Sequence, residues 1–147
     1  MSNEQMQISG HCLCHAVEIR LEEPNPHVEI CHCDMCRRWG GAFYSALTGE
    51  SFAISGEESI TIYRSSEWAE RAFCRHCGSN LWYRFLPTGS RSFLAGLFSD
   101  ADRYTVEKEI FIDEKAAWCD LSGDHTRQTG AEVIAEAKEA GFDPGQD

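Results

Sequence analysis

The spacing of eight cysteines constrains this 147-residue chain more than any other feature of its sequence. Residues 1–7 are polar and lack the basic and apolar segments of a signal peptide, so we expect a cytoplasmic protein. In a reducing compartment, clustered cysteines are more often metal ligands or catalysts than disulfides. Seven of them form short motifs, and one stands alone: Cys12 with Cys14, Cys31 with Cys33 and Cys36, Cys74 with Cys77, and the single Cys119.

Two of these motifs together predict a structural zinc site. Structural zinc takes four ligands in a tetrahedron, and Cys12, Cys14, Cys74 and Cys77 offer four sulfurs from two distant turns. Gly78, directly after Cys77, suits the tight backbone bend of such a turn. The alternative is that these are ordinary buried thiols, since free cysteine is often buried.

The remaining motif offers only three sulfurs. If residues 31–33 are extended, Cys31 and Cys33 point to one side and His32 to the other. A turn that starts at Asp34 then brings Cys36 to the same side. Three protein ligands with one open position are typical of catalytic zinc. We therefore predict a second, catalytic zinc ion, which makes two per chain.

Two alternatives remain open for this cluster. A fourth side chain can close the site and make it structural, and the candidates are Cys119, His32, His76, His11, His15 and Asp34. Otherwise one of the three cysteines is a redox thiol and no metal binds. The other two histidines, His27 and His125, are expected to be exposed loop residues rather than ligands.

Two adjacent arginines, Arg37 and Arg38, directly follow Cys36. Guanidinium groups pair bidentately with carboxylates, so these arginines can receive a carboxylate of the substrate. Alternatively, they offset the net negative charge of three thiolates around Zn²⁺, or they are simply solvated.

The charge balance excludes two classes of partner. Lys and Arg total 13 against 24 Asp and Glu, which gives a formal net charge of −11. Nucleic-acid affinity comes mainly from cationic residues, and anionic lipid also repels such a chain, so we expect neither partner. No stretch approaches the ~18 apolar residues of a membrane span. The length predicts a single domain over residues 1–147.

Alternating apolar and polar residues predict a mainly β fold of small antiparallel sheets, with little helix. The predicted strands are 16–21, 52–54, 59–63, 81–86, 92–98 and 104–112. A short helical turn is expected from Asp34 to Gly40. A short C-terminal helix is expected over residues 131–140, because Thr129 and Glu132 fit a capping box and Gly141 stops the helix.

Three segments of the sequence carry a family resemblance. They are Gly10-His11-Cys12-Leu13-Cys14-His15-Ala16-Val17, Cys31-His32-Cys33-Asp34-Met35-Cys36-Arg37-Arg38-Trp39 and Phe73-Cys74-Arg75-His76-Cys77-Gly78-Ser79. They closely resemble the glutathione-dependent formaldehyde-activating enzyme family, which includes the centromere protein V domain. The resemblance covers residues 8 to 120 approximately, and seven cysteines match in order and spacing.

The resemblance implies a fold, two metal sites and an activity. The fold is a small, mainly antiparallel β structure called a β-tent. The positions that match the family's structural zinc are Cys12, Cys14, Cys74 and Cys77, and those that match its catalytic zinc are Cys31, Cys33 and Cys36. The family's activity joins formaldehyde to glutathione, giving S-(hydroxymethyl)glutathione, and is classed as a carbon–sulfur lyase.

The sequence departs from the family pattern at two places. His15 stands where many members carry a glycine. Near the end, members often show Pro-x-x-His-Ile ahead of a tryptophan, whereas here the run is Val106-Glu107-Lys108-Glu109-Ile110, followed by Trp118. The family's histidine is therefore missing.

The leading hypothesis is a zinc-dependent enzyme that acts at a carbon–sulfur bond. A small thiol such as glutathione binds at the open position as its thiolate and attacks an aldehyde carbon, or the reverse step releases the aldehyde. His32, Asp34 or His76 can move the proton. The alternative is a non-catalytic, zinc-stabilised interaction domain with two closed sites. Either protein can be a monomer or a homodimer.

Overall fold

A computed structural model describes residues 7–142, which fold mainly into short β-strands, as the sequence predicts. The strands are β1 (Gln7–His11), β2 (Glu18–Pro24), β3 (His27–Cys31), β4 (Tyr44–Leu47), β5 (Gly49–Ser55), β6 (Ile60–Arg64), β7 (Ala69–Cys74), β8 (Asn80–Phe85), β9 (Ser90–Leu94), β10 (Thr105–Ile110) and β11 (Thr126–Arg127). The helices are α1 (Asp34–Gly40) and α2 (Gly130–Glu139).

The chain divides into two compact units, each made of two segments. Among the described residues, the first unit comprises 7–26 and 47–104, and the second comprises 27–46 and 105–142. Both cysteine pairs of the predicted four-sulfur site lie in the first unit, whereas the three-sulfur motif lies in the second. The expectation of one domain stays a prediction.

The first unit contains a three-stranded antiparallel sheet in the order β1-β2-β5. On β2, Ile19 and Leu21 are buried while Glu18 and Arg20 are exposed. This is the alternation that predicted a strand at 16–21, although the strand begins at Glu18 and continues to Pro24.

Four further strands of this unit pair antiparallel in the order β9-β8-β7-β6. Aromatic rings pack the two groups of strands together, because Phe93 of β9 meets Phe52 of β5 edge-on at 5.3 Å. Trp82 of β8 lies 6.0 Å from the same Phe93 ring. These contacts place the hydrophobic core of the unit between its strands.

The second unit contains parallel strand pairs in addition to the antiparallel pairing that we expected. Strand β3 pairs antiparallel with β4 but parallel with β10, and β10 pairs parallel with β11. Strand β10 ends at Ile110, two residues before the predicted end, because Phe111 adopts a left-handed backbone conformation with φ 56°. The parallel pairs join segments far apart in sequence, which strand periodicity cannot reveal.

Both helices lie where the sequence predicts them. Helix α1 spans Asp34–Gly40, and Gly41, which follows it, adopts φ 101°. Helix α2 begins one residue earlier than expected, and its capping box is present: the Thr129 hydroxyl accepts the Glu132 N–H while the Glu132 side chain accepts the Thr129 N–H.

Several strands were not predicted, namely β1, β3, β4, β7 and β11. The predicted strand at 92–98 ends at Leu94, and Ala95–Leu97 form a 3-10 turn instead. Within residues 7–142, no helix combines the length and the apolar character needed to cross a membrane.

Candidate metal centres

The first unit brings four cysteine sulfurs together. Cys12, Cys14, Cys74 and Cys77 have sulfur atoms that all lie within 4.8 Å of one another. The Sγ atom of Cys14 is 3.7 Å from that of Cys12 and 3.7 Å from that of Cys74. Four sulfurs at a Zn–S distance of about 2.3 Å form a tetrahedron with edges of about 3.8 Å. The donors and their spacing therefore fit a zinc ion.

Two tight turns place these sulfurs. In the first, the Cys12 N–H donates to Val17 O at 3.0 Å and His15 adopts φ 67°. In the second, the Gly78 N–H donates to Cys74 O at 2.8 Å, and Gly78 adopts φ 79°, as its place after Cys77 predicts.

Ser79 links the two turns. Its hydroxyl oxygen accepts a hydrogen bond from the Leu13 N–H at 2.9 Å and lies 3.2 Å from Cys77 Sγ. The Ser79 hydroxyl lowers the pKa of Cys77 to about 5, because it hydrogen-bonds the sulfur. One ligand of this group therefore favours the thiolate that a metal ion requires.

The second unit brings together the three sulfurs of its motif. Cys31 ends β3, Cys33 directly precedes α1, and Cys36 is buried within α1. Their sulfur atoms all lie within 4.8 Å of one another. Hydrogen bonds among the thiols, burial and mutual repulsion raise the pKa of Cys31. A positive ion bound by the three sulfurs would offset this effect, because a metal ligand must be deprotonated.

A fourth ligand is absent from this group in the described part of the second unit, where no further Cys, His, Asp or Glu side chain joins the three sulfurs. Cys119 is a half-buried free thiol outside the group. His32 instead contacts Glu109, and Asp34 pairs with Arg38 at 3.2 Å.

The other candidate ligands belong to the first unit. His11 and His15 stack on each other with ring centroids 3.6 Å apart. His76 Nε2 lies 3.1 Å from Ser59 Oγ. None of the three joins the four-sulfur group of that unit.

The arginines that follow Cys36 already have partners. Arg37 Nη1 donates to the backbone oxygen of Glu114 at 3.1 Å, and Arg38 pairs with Asp34 on the exposed side of α1. The Glu114 carboxylate also accepts the Asp34 N–H at 2.9 Å. Glu114, which sequence analysis did not single out, therefore fixes the start of α1.

Sequence analysis also missed a polar cluster around a buried carboxylate, which we call the Glu109 cluster: Glu109, His32, His125 and the exposed Arg127. Glu109 is 1% exposed and contacts all three other members. His125 lies in a loop, as expected, but the expectation that it is exposed is wrong, because its side chain is 5% exposed and hydrogen-bonded to Glu109. The local sequence signal for this cluster was in the predicted strand at 104–112, where the polar and apolar residues do not separate onto opposite faces. Glu109 falls there on the same face as Phe111.

The charge of Glu109 is stabilised inside the protein. Burial by itself raises the pKa of the carboxyl, but hydrogen bonds from His125 and His32 and the charge of Arg127 outweigh it and lower the pKa below its usual value. The lowered pKa therefore favours the ionised carboxylate of Glu109 over its protonated form, although the side chain is buried.

Comparison with known proteins identifies relatives of this chain. A protein of Schizosaccharomyces pombe named as an uncharacterized lyase is 29% identical over 130 residues, which cover 87% of this chain and 95% of that protein. A Halomonas elongata protein named "Putative glutathione-dependent formaldehyde-activating enzyme" is 29% identical over 129 residues, which cover 79% of this chain and 82% of that protein.

A solved structure and a family model also match this chain. The crystal structure of a Rhodobacter sphaeroides protein matches with a TM-score of 0.54 and 25% identity, covering 67% of this chain and 99% of that one. The model of the family described as glutathione-dependent formaldehyde-activating enzyme matches residues 7–114, well over half of the chain. The chain therefore belongs to the glutathione-dependent formaldehyde-activating enzyme family, as its cysteine motifs predicted.

Proposed function

We propose that this protein is a zinc-dependent carbon–sulfur lyase that joins a small thiol to an aldehyde, or separates them, at the three-cysteine site. Glutathione and formaldehyde are the thiol and aldehyde that the family description names. Membership of this family, and a relative named as a lyase, support a lyase-type enzyme. All eight cysteines are free thiols, which supports the reducing, cytoplasmic setting that we propose for it.

The observation that carries this proposal is the unequal number of sulfurs in the two groups. Cys12, Cys14, Cys74 and Cys77 offer as many sulfurs as a tetrahedral ion has positions, which supports assigning this group the structural ion. Cys31, Cys33 and Cys36 leave one position of a tetrahedron free, so this group is assigned the catalytic ion. The alternative of a non-catalytic domain requires a fourth ligand, and nothing described in the second unit supplies one.

The chemistry follows from this open position. Cys31, Cys33 and Cys36 would hold the zinc ion, which would favour deprotonation of a thiol at its open position. In the net reaction a sulfur–carbon bond forms, the carbonyl double bond becomes single, and the thiol proton ends on the aldehyde oxygen. Asp34 is our candidate to move that proton, since it lies exposed next to Cys33, whereas the His32 ring is turned into the Glu109 cluster.

Replacing one of the three cysteines tests this proposal. We expect Cys36→Ser to reduce the exchange between glutathione, formaldehyde and their adduct to the uncatalysed rate, because two sulfurs cannot hold the ion firmly. Exchange spectroscopy by NMR measures this rate at equilibrium. Cys119→Ser is the matched control, since Cys119 lies in the same unit but outside the group, and it should keep full activity.

The proposed function would be wrong if Cys36→Ser retained the wild-type exchange rate. It would also be wrong if Cys119→Ser were as inactive as Cys36→Ser, because that result would make Cys119 part of the site and the site closed.

A further inference from the structure

The carboxylate of Glu109 accepts hydrogen bonds on both of its oxygens. Oε1 accepts from His32 Nε2 at 2.7 Å, while Oε2 accepts from His125 Nε2 at 2.5 Å and from Arg127 Nε at 3.0 Å. A buried charge is tolerated only when it is paired and hydrogen-bonded. These four side chains therefore stabilise one another as a unit, and each loses a partner if Glu109 is neutralised.

The His32 ring depends on Glu109 for its position. His32 is fully buried, and its Nδ1 atom has no hydrogen-bond partner among the residues that the structure describes. The bond from Nε2 to Glu109 is thus the hydrogen bond that orients the ring. The ring also meets Phe43 edge-on, with centroids 5.9 Å apart, and this contact adds packing but little directional restraint.

His32 is in turn the residue between two of the three cysteines. Its backbone N–H donates to Ile110 O at 3.0 Å, and Cys31 is paired with Ile110 across the parallel strands β3 and β10. The side chain and the backbone of His32 are therefore both attached to β10. Through these two attachments, β10 holds the peptide that carries Cys31 and Cys33.

The guanidinium of Arg127, which binds the other oxygen of Glu109, is itself held by hydrogen bonds. Arg127 Nη2 donates to Leu121 O at 2.8 Å and to Gly123 O at 3.1 Å. The guanidinium thus links Glu109 to residues 121–127, which follow Cys119 in the chain. The carboxylate is consequently held from both sides and acts as a fixed support for His32.

We propose that Glu109 is a positioning residue for the three-cysteine site, which holds Cys31 and Cys33, through His32, at the spacing that a shared metal ion needs. The proposal rests on the proposed function in one respect, namely that these three sulfurs bind a metal ion. Interactions that orient metal ligands typically change metal affinity by 10-fold to 100-fold. Loss of the Glu109 charge should therefore weaken this site while leaving its three ligands in the chain.

Zinc affinity, measured on the full-length protein, tests the proposal without using activity. Glu109→Gln replaces one acceptor oxygen by a donor group, so the side chain can no longer accept hydrogen bonds on both sides. Competition with a chelator should resolve two steps of zinc release from the wild-type protein. The step that disappears in Cys36→Ser is the release of zinc from the three-cysteine site. We expect Glu109→Gln to weaken that step about 10-fold and to leave the four-cysteine step unchanged. Glu107→Gln, exposed on the same strand, is the control and should change neither step.

A double variant separates positioning from general stability. His32→Phe removes the donor but leaves Glu109 with its other two partners, so this variant remains informative if Glu109→Gln does not fold. If Glu109 acts through His32, His32→Phe should weaken the same step, and the double variant should be little weaker than either single variant.

Three results would overturn the inference. One is a zinc affinity of the three-cysteine site that is the same in Glu109→Gln, or in His32→Phe, as in the wild type. Another is an equal loss of affinity at both sites, which indicates a general effect on folding. The third is wild-type protein with a single release step, and this result would also remove the metal site on which the proposed function depends.

Discussion

At the scale of single residues, the most informative position is the one where a charged side chain is buried. Glu109 receives hydrogen bonds from two histidines and an arginine, at the position where the family resemblance of the sequence led us to expect a histidine. A histidine at this position would place three imidazoles and a guanidinium together, with no carboxylate among them to balance the arginine. The glutamate and its partners are therefore best understood as one set of mutually dependent residues.

The lowered pKa of Glu109 predicts how stability depends on pH. The reference value for such a carboxyl is 4.5, and the folded-state pKa lies below it. Above about pH 5, folded and unfolded chains both carry the charge, and its stabilisation is fully present. As the pH falls, the unfolded chain takes up its proton first, so this stabilisation is lost as the pH passes down through the folded-state pKa.

The free energy of unfolding of wild type and Glu109→Gln, measured in urea at several pH values, checks this expectation. The advantage of the wild type over the variant should be largest near neutral pH and should shrink as the pH falls below about 4.5 and on through the lower folded-state pKa of Glu109. Both proteins are compared in the Cys36→Ser background, in which the three-cysteine site is expected to hold no ion, so that the weaker zinc affinity expected of Glu109→Gln does not enter the difference. An advantage that stays constant or grows as the pH falls would contradict the assignment of a charged, stabilised carboxylate.

At the scale of elements, helix α2 shows how local sequence signals define a boundary. Thr129 and Glu132 close the capping box, and the Gly130 N–H donates to Asp113 Oδ1 at 2.8 Å. Gly130 also lies so close to the ring of Phe111 that an added Cβ would meet it at 2.7 Å. The start of the helix is therefore fixed by its own cap and by a close contact with the chain after β10.

Removing this cap should destabilise the protein measurably. Thr129→Ala leaves the Glu132 N–H without its side-chain acceptor, and loss of such a cap costs about 1 kcal/mol. Urea unfolding compared with the wild type measures the change, and Ser122→Ala, at an exposed loop position, is the matched control. Equal stability of Thr129→Ala and the control would show that the cap contributes nothing to folding.

The elements that the sequence predicted are those whose signals are local. Helix α1 was found because a glycine marks its end, and helix α2 because a capping box and a glycine mark its two ends. Strand β2 was found because its apolar and polar residues alternate. Strand β3 was missed because half-buried residues surround its single buried Ile30, so that its pattern is weak. The end of β10 was placed too late because nothing in the sequence signals the left-handed Phe111.

At the scale of the whole molecule, each of the two compact units contains its own group of cysteines. Spacing alone predicted both groups, because every motif contributes at least two sulfurs from one turn and sulfur has few other roles in a reducing compartment. The Glu109 cluster was not predicted, because Glu109 meets His32 across 77 residues of sequence and no motif links them. Cysteine groups that could hold a metal ion are therefore predictable from the sequence, whereas the polar residues packed beside them become visible only in the fold.

The central claim is that one group encloses its ion and the other leaves a position open, and counting zinc ions per chain by native mass spectrometry tests it most directly. The account predicts two zinc ions in the wild type, one in Cys36→Ser and two in Cys119→Ser. Two zinc ions in Cys36→Ser, or one in Cys119→Ser, would contradict it.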